Sequence, residues 1–382
     1  MKLKIEDKNK IRIKLLFIII ILFYFKFNNY FYNKFLNYFY SIKNEIKKID
    51  NYFILCNNEI LINKNKFKRN KFPKVSIISP VYNSEKYILR FIRSVQNQRF
   101  NDIEIIFIDD CSKDKSAKLI EEYQEKDERI ILIKNMKNKG TLISRNIGAL
   151  NSRGEYLMFS DPDDMISENI INFCYNFIRT NNFEVLRFYL CIDHKIFLRS
   201  IFNGIENKII TQPRLSTYLF YGKGRLLQVD YNVSNKFIKR KAFIRALNSL
   251  NDYYLNLYMT FAEDGLINYT LYRTVKSLYF VKKIGYYYIK NNQSITKSKI
   301  NDNIIKSFFY ILKLIFEYSK NNKYEKDMAN TYLRRFVSPI KNNFLKKIII
   351  KDCRFYNEII ELYLNCEFIS KDNKRKLINI KC

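Results

Sequence analysis

The sequence is poor in the residues that build structural metal sites. It contains one histidine, His194, and seven scattered cysteines, none of which lies in a C-x-x-C pair. Cys191 is the only cysteine near His194, and its spacing does not suit a closed zinc site. An odd number of scattered cysteines does not require a disulfide framework. We therefore expect neither a structural zinc site nor a fold held together by disulfides.

Glycine, proline and tryptophan are scarce, whereas lysine, asparagine, isoleucine, phenylalanine and tyrosine are abundant throughout. The formal net charge is +31, from 68 Lys and Arg against 37 Asp and Glu. An excess of positive charge of this size suits binding to a nucleic acid, an anionic membrane or an anionic small substrate. No basic run is confined to one segment, so we attribute the charge to overall compositional bias and expect no nucleic-acid partner.

The chain is long and apolar enough to form a substantial core. It has 382 residues, of which 47% are hydrophobic. This length allows one large domain with appendages, or two domains. The hydrophobic content excludes a disordered chain despite the many Lys and Asn residues.

An apolar run near the N-terminus follows a basic tail at 1–12. Residues 15–25 read LLFIIIILFYF, which is shorter than the roughly 20 residues that span a bilayer. Residues 13–36 would suffice if Lys26 snorkels to the interface. A cleaved signal peptide, a signal anchor and a buried helix are all compatible with this pattern. No small-x-small cleavage site follows, so the anchor is favoured over the signal peptide.

The basic tail also predicts an orientation. By the positive-inside rule, a single-pass anchor would leave the N-terminus in the cytosol and the bulk of the chain across the membrane. In a eukaryote this would be an endomembrane of the Golgi or ER type. Residues 37–73 are polar and basic up to Pro73, and are interpreted as a stem.

From residue 74 onward, short apolar runs alternate with helical patterns. The predicted strands are 75–79 (VSIIS), 104–109 (EIIFID), 129–134 (RIILIK) and 155–160 (EYLMFS), and the predicted helices are 86–97, 112–126 and 142–150. This alternation is typical of an α/β fold with a mostly parallel sheet covered by helices. Residues 297–382 show longer apolar periodicities and are predicted to form a helical appendage.

Polar clusters follow the predicted strands directly, at 80–85, 109–115 and 161–164. Ligands of open α/β sheets bind beyond the carboxyl ends of the strands. These clusters are therefore the candidate site.

The segment Asp161-Pro162-Asp163-Asp164 places three carboxylates within four residues at the end of an apolar strand. Their mutual repulsion requires a cation or hydrogen-bond donors. Carboxylate oxygens suit Mg²⁺ or Mn²⁺, which one or two carboxylates hold together with phosphate oxygens. The alternative is an acidic turn that caps a helix starting near Ser167 or Glu168.

Two further polar motifs precede predicted helices. Asp109-Asp110 ends the second strand, and Asn138-Lys139-Gly140 precedes the helix that carries Arg145. The backbone N–H groups at a helix start can bind a phosphate, and the guanidinium of Arg145 would add further N–H donors. The alternative role for Arg145 is a surface salt bridge.

The order of these motifs resembles family 2 of the inverting glycosyltransferases, which have the GT-A fold. The resemblance rests on VSIISPVYNSEKYILRFIRSVQNQ, EIIFIDDCSKD and NKGTLISRNIGALNSRGEYLMFSDPDD, and continues through SNKFIKRKAF, FAEDGLINY and GYYYIKNNQSIT. It covers residues 74–296, which we expect to form the GT-A domain. It implies transfer of a sugar from a nucleoside-diphosphate sugar, with a uridine nucleotide as the commonest case.

The resemblance also implies roles for individual residues. The candidate nucleotide-binding residues are Pro80, Tyr82, Asn83, Asp109, Asp110 and Arg145. Asp163 corresponds to the carboxylate that binds a divalent metal on the donor diphosphate, and Asp161 to its supporting partner. Asp264 corresponds to the catalytic base, with Glu263 the next candidate. A carboxylate can deprotonate an attacking hydroxyl, although an acidic pair is also typical of an ordinary helix start.

Within this family, two absences argue against a processive polymer synthase. The chain has no Trp, so the Q-x-x-R-W motif of such synthases cannot occur. Its C-terminal half also lacks a hydrophobic run long enough to cross a bilayer. We therefore expect a non-processive enzyme that acts on a glycan, lipid or protein acceptor.

Two other classes remain as alternatives. A nucleotidyltransferase of similar fold would require a Gly-rich, basic loop after the first strand to bind the triphosphate. The residues at that position, PVYN at 80–83, contain neither glycine nor a basic residue. A basic membrane-surface or nucleic-acid-binding protein would explain the charge but not the carboxylate clusters.

Overall fold

The structure is a computed structural model of the whole chain. It describes residues 60–62, 72–192, 195–196, 209–212, 215, 221–222, 225–226, 232–291, 302–318 and 361. The predicted tail and anchor, most of the predicted stem and His194 lie outside these residues. Within them, no helix is both long and apolar enough to cross a membrane.

Thirteen strands are described, eleven of them in one sheet. In chain order they are β1 Ile60–Ile62, β2 Val75–Val81, β3 Ile103–Asp109, β4 Ile130–Asn135, β5 Tyr156–Phe159, β6 Met165–Ile166, β7 Val185–Ile192, β8 Lys195–Ile196, β9 Ile209–Thr211, β10 Tyr221–Gly222, β11 Arg225–Leu226, β12 Lys236–Lys239 and β13 Ser277–Tyr288.

Eight helices accompany them in the described part of the chain. They are α1 Ile88–Gln96, α2 Ser116–Lys126, α3 Thr141–Asn151, α4 Ile170–Asn181, α5 Arg240–Asn248, α6 Asp252–Leu255, α7 Glu263–Thr274 and α8 Asp302–Tyr318. The four predicted strands and three predicted helices of the 74–160 region are confirmed. Helix α8 lies within residues 297–382, the predicted helical appendage.

The main sheet has the strand order β1-β4-β3-β2-β5-β12-β7-β13-β6. Strands β4, β3, β2 and β5 run parallel, as the alternating pattern predicts. Strand β12 then inserts antiparallel between β5 and β7. The short strand β6 pairs antiparallel with the end of β13, which brings the chain just after 161–164 against that strand.

The parallel strands lie in the centre of the protein because they are apolar on both faces. Every residue of β2 and β3 is buried. Helix α3 packs closely against them at Gly148, where an added Cβ would lie 2.4 Å from the Ile78 side chain. These contacts fix the carboxyl ends of the strands, and hence the polar segments that follow them.

The sheet begins before residue 74, where the predicted domain starts. Strand β1 lies in the segment interpreted as a stem, and it pairs antiparallel with β4. The run ILI at 60–62 is too short to show a strand pattern in the sequence.

Candidate active site

The polar segments after β2 and β3 meet at one end of the sheet because the two strands are parallel neighbours. The Asp110 N–H donates to the carbonyl of Val81 over 2.8 Å. Asn83 accepts a hydrogen bond from the Lys113 N–H on its side-chain oxygen, over 2.8 Å. Asn83, predicted to bind the nucleotide, therefore also ties one loop to the next.

Asp110 organises the loop that leads into α3. Its carboxylate accepts hydrogen bonds from Asn135 Nδ2 over 2.7 Å and from the N–H groups of Lys139 and Gly140, each over 2.8 Å. The side chain is buried. Asp110 therefore fixes the start of α3.

A second loop covers the start of α3. Gly140 has φ +86°, and a Cβ added there would lie 2.8 Å from the Met259 carbonyl oxygen. That carbonyl accepts the Leu142 N–H over 3.2 Å. One of the N–H groups expected to be available for a phosphate is therefore already used within the protein.

The other predicted nucleotide residues differ in exposure. Tyr82 is 48% exposed, whereas Pro80 is buried within β2. Burial raises the pKa of Asp109, although the hydrogen bonds that it accepts from Ser112 act in the opposite direction and lower it. Burial, Asp110 and Tyr82 together raise the pKa of Tyr258, which places this exposed tyrosine beside them.

Arg145 joins the two acidic segments of the chain. Its guanidinium is 2% exposed and forms ion pairs with Asp161 over 2.7 Å, with Glu263 over 2.8 Å, and with Asp264. Burial alone would lower the pKa of Arg145, but the charges of Asp264, Asp161 and Glu263 outweigh it and raise the pKa. Arg145 was predicted to face a phosphate or the surface, and the structure places it inside a cluster of three carboxylates.

The segment 161–164 is tied to the far end of β13. Asp164 accepts from the Tyr286 hydroxyl over 2.6 Å and from the Ile289 N–H over 2.8 Å. Asn291 Nδ2 donates to Asp163 Oδ2. Burial, with the charges of Asp161 and Asp163, raises the pKa of Asp164. Asp164 is thus a buried anchor for the two carboxylates before it.

Asp163 is a carboxylate that is costly to keep ionised. Burial and the charge of Asp161 raise its pKa to about 6. Its side-chain hydrogen-bond donor among the described residues is the neutral amide of Asn291. A cation beside Asp163 would relieve both effects.

The second acidic segment lies at the start of α7. Ala262 has φ +57° and turns the chain into the helix. Asp264 Oδ2 accepts the Val233 N–H over 3.2 Å, while Oδ1 faces Arg145. Burial raises the pKa of both Glu263 and Asp264, and Arg145 opposes the shift in both cases. Asp264 is 21% exposed, so it is the more accessible of the pair, since Glu263 is 11% exposed.

Asp161 and Asp163 fit the ligand set of a divalent cation on a diphosphate. Among the described residues, each carboxylate has one oxygen engaged, Asp161 Oδ1 by Arg145 and Asp163 Oδ2 by Asn291. The second oxygen of each is left for a cation. In that part of the chain no three His, Cys, Asp or Glu side chains converge on a metal position. Two carboxylates with phosphate oxygens are, however, the usual Mg²⁺ arrangement.

Several residues of the site were missed from sequence alone. Tyr286 and Asn291 appear in the sequence only as part of the GYYYIKNNQSIT motif, and no motif marks Tyr258. Strand β13 passes the site because it pairs with β6 and β7, a non-local contact that no local pattern predicts. The tight packing of Ser234, Asn235 and Lys236, all buried, likewise gave no local signal beyond the family motif.

The chain is similar in sequence to known glycosyltransferases. Residues 76–247 match the family described as glycosyl transferase family 2. A glycosyltransferase of Haemophilus influenzae is 34% identical over 157 residues, which are 41% of this chain and 60% of that protein. The glycosyltransferase EpsJ of Bacillus subtilis is 29% identical over 228 residues, 59% of this chain and 63% of EpsJ. The matched region thus spans less than two thirds of either relative.

The fold is shared with a solved glycosyltransferase structure. Residues 1–349 of Staphylococcus aureus TarS, in complex with UDP-GlcNAc, superpose with a TM-score of 0.59 at 21% identity, covering 76% of this chain and 81% of that one. Residues 76–247 of the chain are therefore a glycosyltransferase family 2 domain, and the chain has the GT-A fold.

Proposed function

We propose that the protein transfers one sugar at a time from a nucleoside-diphosphate sugar to an acceptor hydroxyl, with inversion and with help from a divalent cation. The observation that carries this proposal is the position of Arg145. Its guanidinium pairs with Asp161 on one side and with Asp264 on the other. A donor-side carboxylate and a candidate base therefore lie within the reach of one side chain, as a direct displacement requires.

The donor is a uridine nucleotide sugar in this proposal, with UDP-GlcNAc the first to test. The TarS structure of the same fold was solved in complex with UDP-GlcNAc. Exposed Tyr82 offers a face for the base, at the end of β2 and next to the loop that Asp110 holds. Asn83 and Asp109 hold the loop after β3, where they accept the N–H groups of Lys113 and Ser112, and buried Pro80 lies just before Tyr82.

Asp161 and Asp163 would hold Mg²⁺ or Mn²⁺ against the diphosphate of the donor. Bound there, the cation neutralises the charge that develops on the departing diphosphate. Asp164 does not take part directly, since Tyr286 and Ile289 occupy its carboxylate. It keeps Asp161 and Asp163 at the end of β5.

Asp264 would accept the proton of the attacking hydroxyl. Its raised pKa makes it a better proton acceptor than an exposed aspartate. Arg145 keeps the carboxylate in place, and the Val233 N–H fixes its other oxygen. A single attack from the face opposite the leaving group inverts the anomeric carbon, so an α-linked donor gives a β-linked product.

A panel of nucleotide sugars tests the proposal. The purified protein is incubated with each sugar in Mn²⁺ or Mg²⁺, and the released nucleotide is measured. We expect release from a UDP-sugar, loss of release in excess chelator and recovery on adding the cation. Full activity in chelator would contradict the role of the cation, and a product that keeps the donor's configuration would contradict the single displacement.

A time course separates single addition from polymer synthesis. If one sugar is added per encounter, all acceptors gain one sugar before any gains several. Long products on a few acceptors, with most acceptors unused, would contradict a non-processive enzyme.

The predicted anchor at 13–36 is part of the proposal. The basic tail and the apolar run that follows it support a single-pass protein with a cytosolic N-terminus. We expect the full chain to stay with membranes after carbonate extraction, and its C-terminus to resist protease in sealed vesicles. Recovery of the full chain in the supernatant would refute the anchor.

A further inference from the structure

Lys236 is a buried cation behind the candidate base. It lies at the start of β12 with 0% exposure. Its ammonium donates to the carbonyl oxygen of Asn232 and, over 3.1 Å, to Asn235 Oδ1. It also lies 5.9 Å from the centre of the Tyr272 ring. Both of these acceptors are oxygen atoms of neutral groups, and the charge of Lys236 also acts on the Asp264 carboxylate nearby.

The Asn232 carbonyl belongs to the same peptide group as the Val233 N–H. That N–H donates over 3.2 Å to Asp264 Oδ2. A single planar peptide therefore has the Lys236 ammonium at its oxygen and the Asp264 carboxylate at its hydrogen. A cation at a carbonyl oxygen polarises the amide and strengthens the hydrogen bond that its N–H donates.

We propose that Lys236 is a positioning residue for catalysis, which holds and polarises the Asn232–Val233 peptide so that its N–H keeps Asp264 oriented toward the acceptor hydroxyl. The inference rests on the proposed role of Asp264 as the base. Lys236 does not touch the substrates, because it is fully buried.

Other charged groups face Asp264 and define what Lys236 adds. Arg145 binds Oδ1, while Glu263 and Asp161 pair with the same guanidinium. Arg145 therefore divides its charge among three carboxylates. Lys236 reaches Oδ2 through the Asn232–Val233 peptide, and the proximity of its charge also opposes the rise in the pKa of Asp264. The two oxygens are thus held from different sides.

The test is a double-mutant cycle of Lys236→Met and Asp264→Asn. The assay measures UDP release from UDP-GlcNAc, or from another UDP-sugar if the panel of nucleotide sugars selects one. Lys236→Met removes the charge and retains the chain length. We expect kcat to fall about tenfold with the donor KM unchanged, since a hydrogen bond to a charged group is weakened. In the Asp264→Asn background the same substitution should change kcat less than about twofold.

Lys239→Met is the matched control, because Lys239 lies on the same strand and its ammonium donates to Asn182 at the surface. It should leave both constants unchanged. If Lys236→Met does not fold, Lys236→Gln replaces it, since glutamine also lacks the charge but can still donate a hydrogen bond. The donor KM and the melting temperature report whether the variant is intact.

The outcomes separate this inference from the proposed base. Near-normal kcat in Asp264→Asn overturns the base and this inference with it. Loss of activity in Asp264→Asn with normal kcat in the neutral Lys236 variant overturns only the inference. An equal loss from Lys236→Met in both backgrounds, or a loss accompanied by a raised donor KM, would also overturn it.

Discussion

The two acidic segments of the site are held in different ways. Asp163 and Asp164 receive hydrogen bonds from neutral groups, namely the Asn291 amide, the Tyr286 hydroxyl and the Ile289 N–H. Glu263 and Asp264 instead face the buried guanidinium of Arg145. Arg90 donates to the backbone carbonyl of Asp163, and among the described residues the Asp163 carboxylate has only the neutral Asn291 amide as a side-chain donor, whereas the carboxylates of the second segment pair with Arg145 directly.

This difference suits two different tasks. In the proposed function, the Asp163 carboxylate, which has no direct ion pair among the described residues, receives a cation with the donor diphosphate. A carboxylate that is already paired and fixed on both oxygens is prepared to accept a proton from one direction. Arg145 connects the segments, since it also binds Asp161.

Asp264→Asn should have the largest effect and separates the two tasks. It removes the proton acceptor and nearly preserves the shape. We expect kcat to fall by roughly two to four orders of magnitude, the range for loss of a general base. The measurement is steady-state UDP release. Near-normal kcat would mean that Asp264 is not the catalytic base. Glu263 would then be the next candidate, and the kcat of a Glu263→Gln variant would test it.

Arg145→Met breaks the link between the segments. It leaves the carboxylates of Asp161, Glu263 and Asp264 without their shared cation. Removal of one partner from a buried ion pair costs about 3–5 kcal/mol of unfolding free energy. Denaturant unfolding measures the loss. Arg99→Met is the control, because the Arg99 side chain is 71% exposed and lies 3.8 Å from Glu168, so its removal should change stability little.

Gly140→Ala tests how the start of α3 fits against the loop that precedes α7. The backbone at Gly140 has φ +86° and ψ +162°, a region that is essentially restricted to glycine. We expect the free energy of unfolding to fall by about 1–3 kcal/mol, because alanine is strained in this backbone conformation. The added Cβ would also lie too close to the Met259 carbonyl oxygen. Thermal melts measure the loss of stability, with Thr141→Ala at the next position as the control. An unchanged melting temperature for Gly140→Ala would show that the loop moves at no cost.

Tyr82→Ala should have the smallest of these effects, and it acts on the donor alone. Loss of a stacked base costs about 1–3 kcal/mol, so donor affinity should weaken about tenfold with stability unchanged. Calorimetry with UDP measures this. Tyr253→Ala is the control, since Tyr253 is similarly exposed at 43% but lies on α6. Equal losses in both variants would remove Tyr82 from the base site.

Much of the parallel half of the sheet was predictable from sequence because its information is local. Apolar runs defined β2 to β5, and the polar residues after them had to meet at one end of a parallel sheet. The carboxylates of 161–164 and 263–264 were also visible as clusters.

The connections between segments were not predictable in the same way. Arg145 and Glu263 are 118 residues apart, and Asp164 and Tyr286 are 122 residues apart. The antiparallel insertion of β12 and the path of β13 determine which side chains meet, and both depend on contacts between distant parts of the chain. Hence Arg145 was expected at a phosphate and is found among carboxylates, and Lys236 drew no attention.

The most direct test of the division between the two segments is a calorimetric titration of UDP-GlcNAc with Mn²⁺ into Asp163→Asn and Asp264→Asn, compared with the unmodified protein. We predict that Asp163→Asn weakens donor binding by about tenfold or more, because a ligand of the cation is lost. Asp264→Asn should bind the donor within about twofold of the unmodified protein, because its interaction belongs to the transition state. Equal weakening in both variants, or normal binding by Asp163→Asn, would contradict the account.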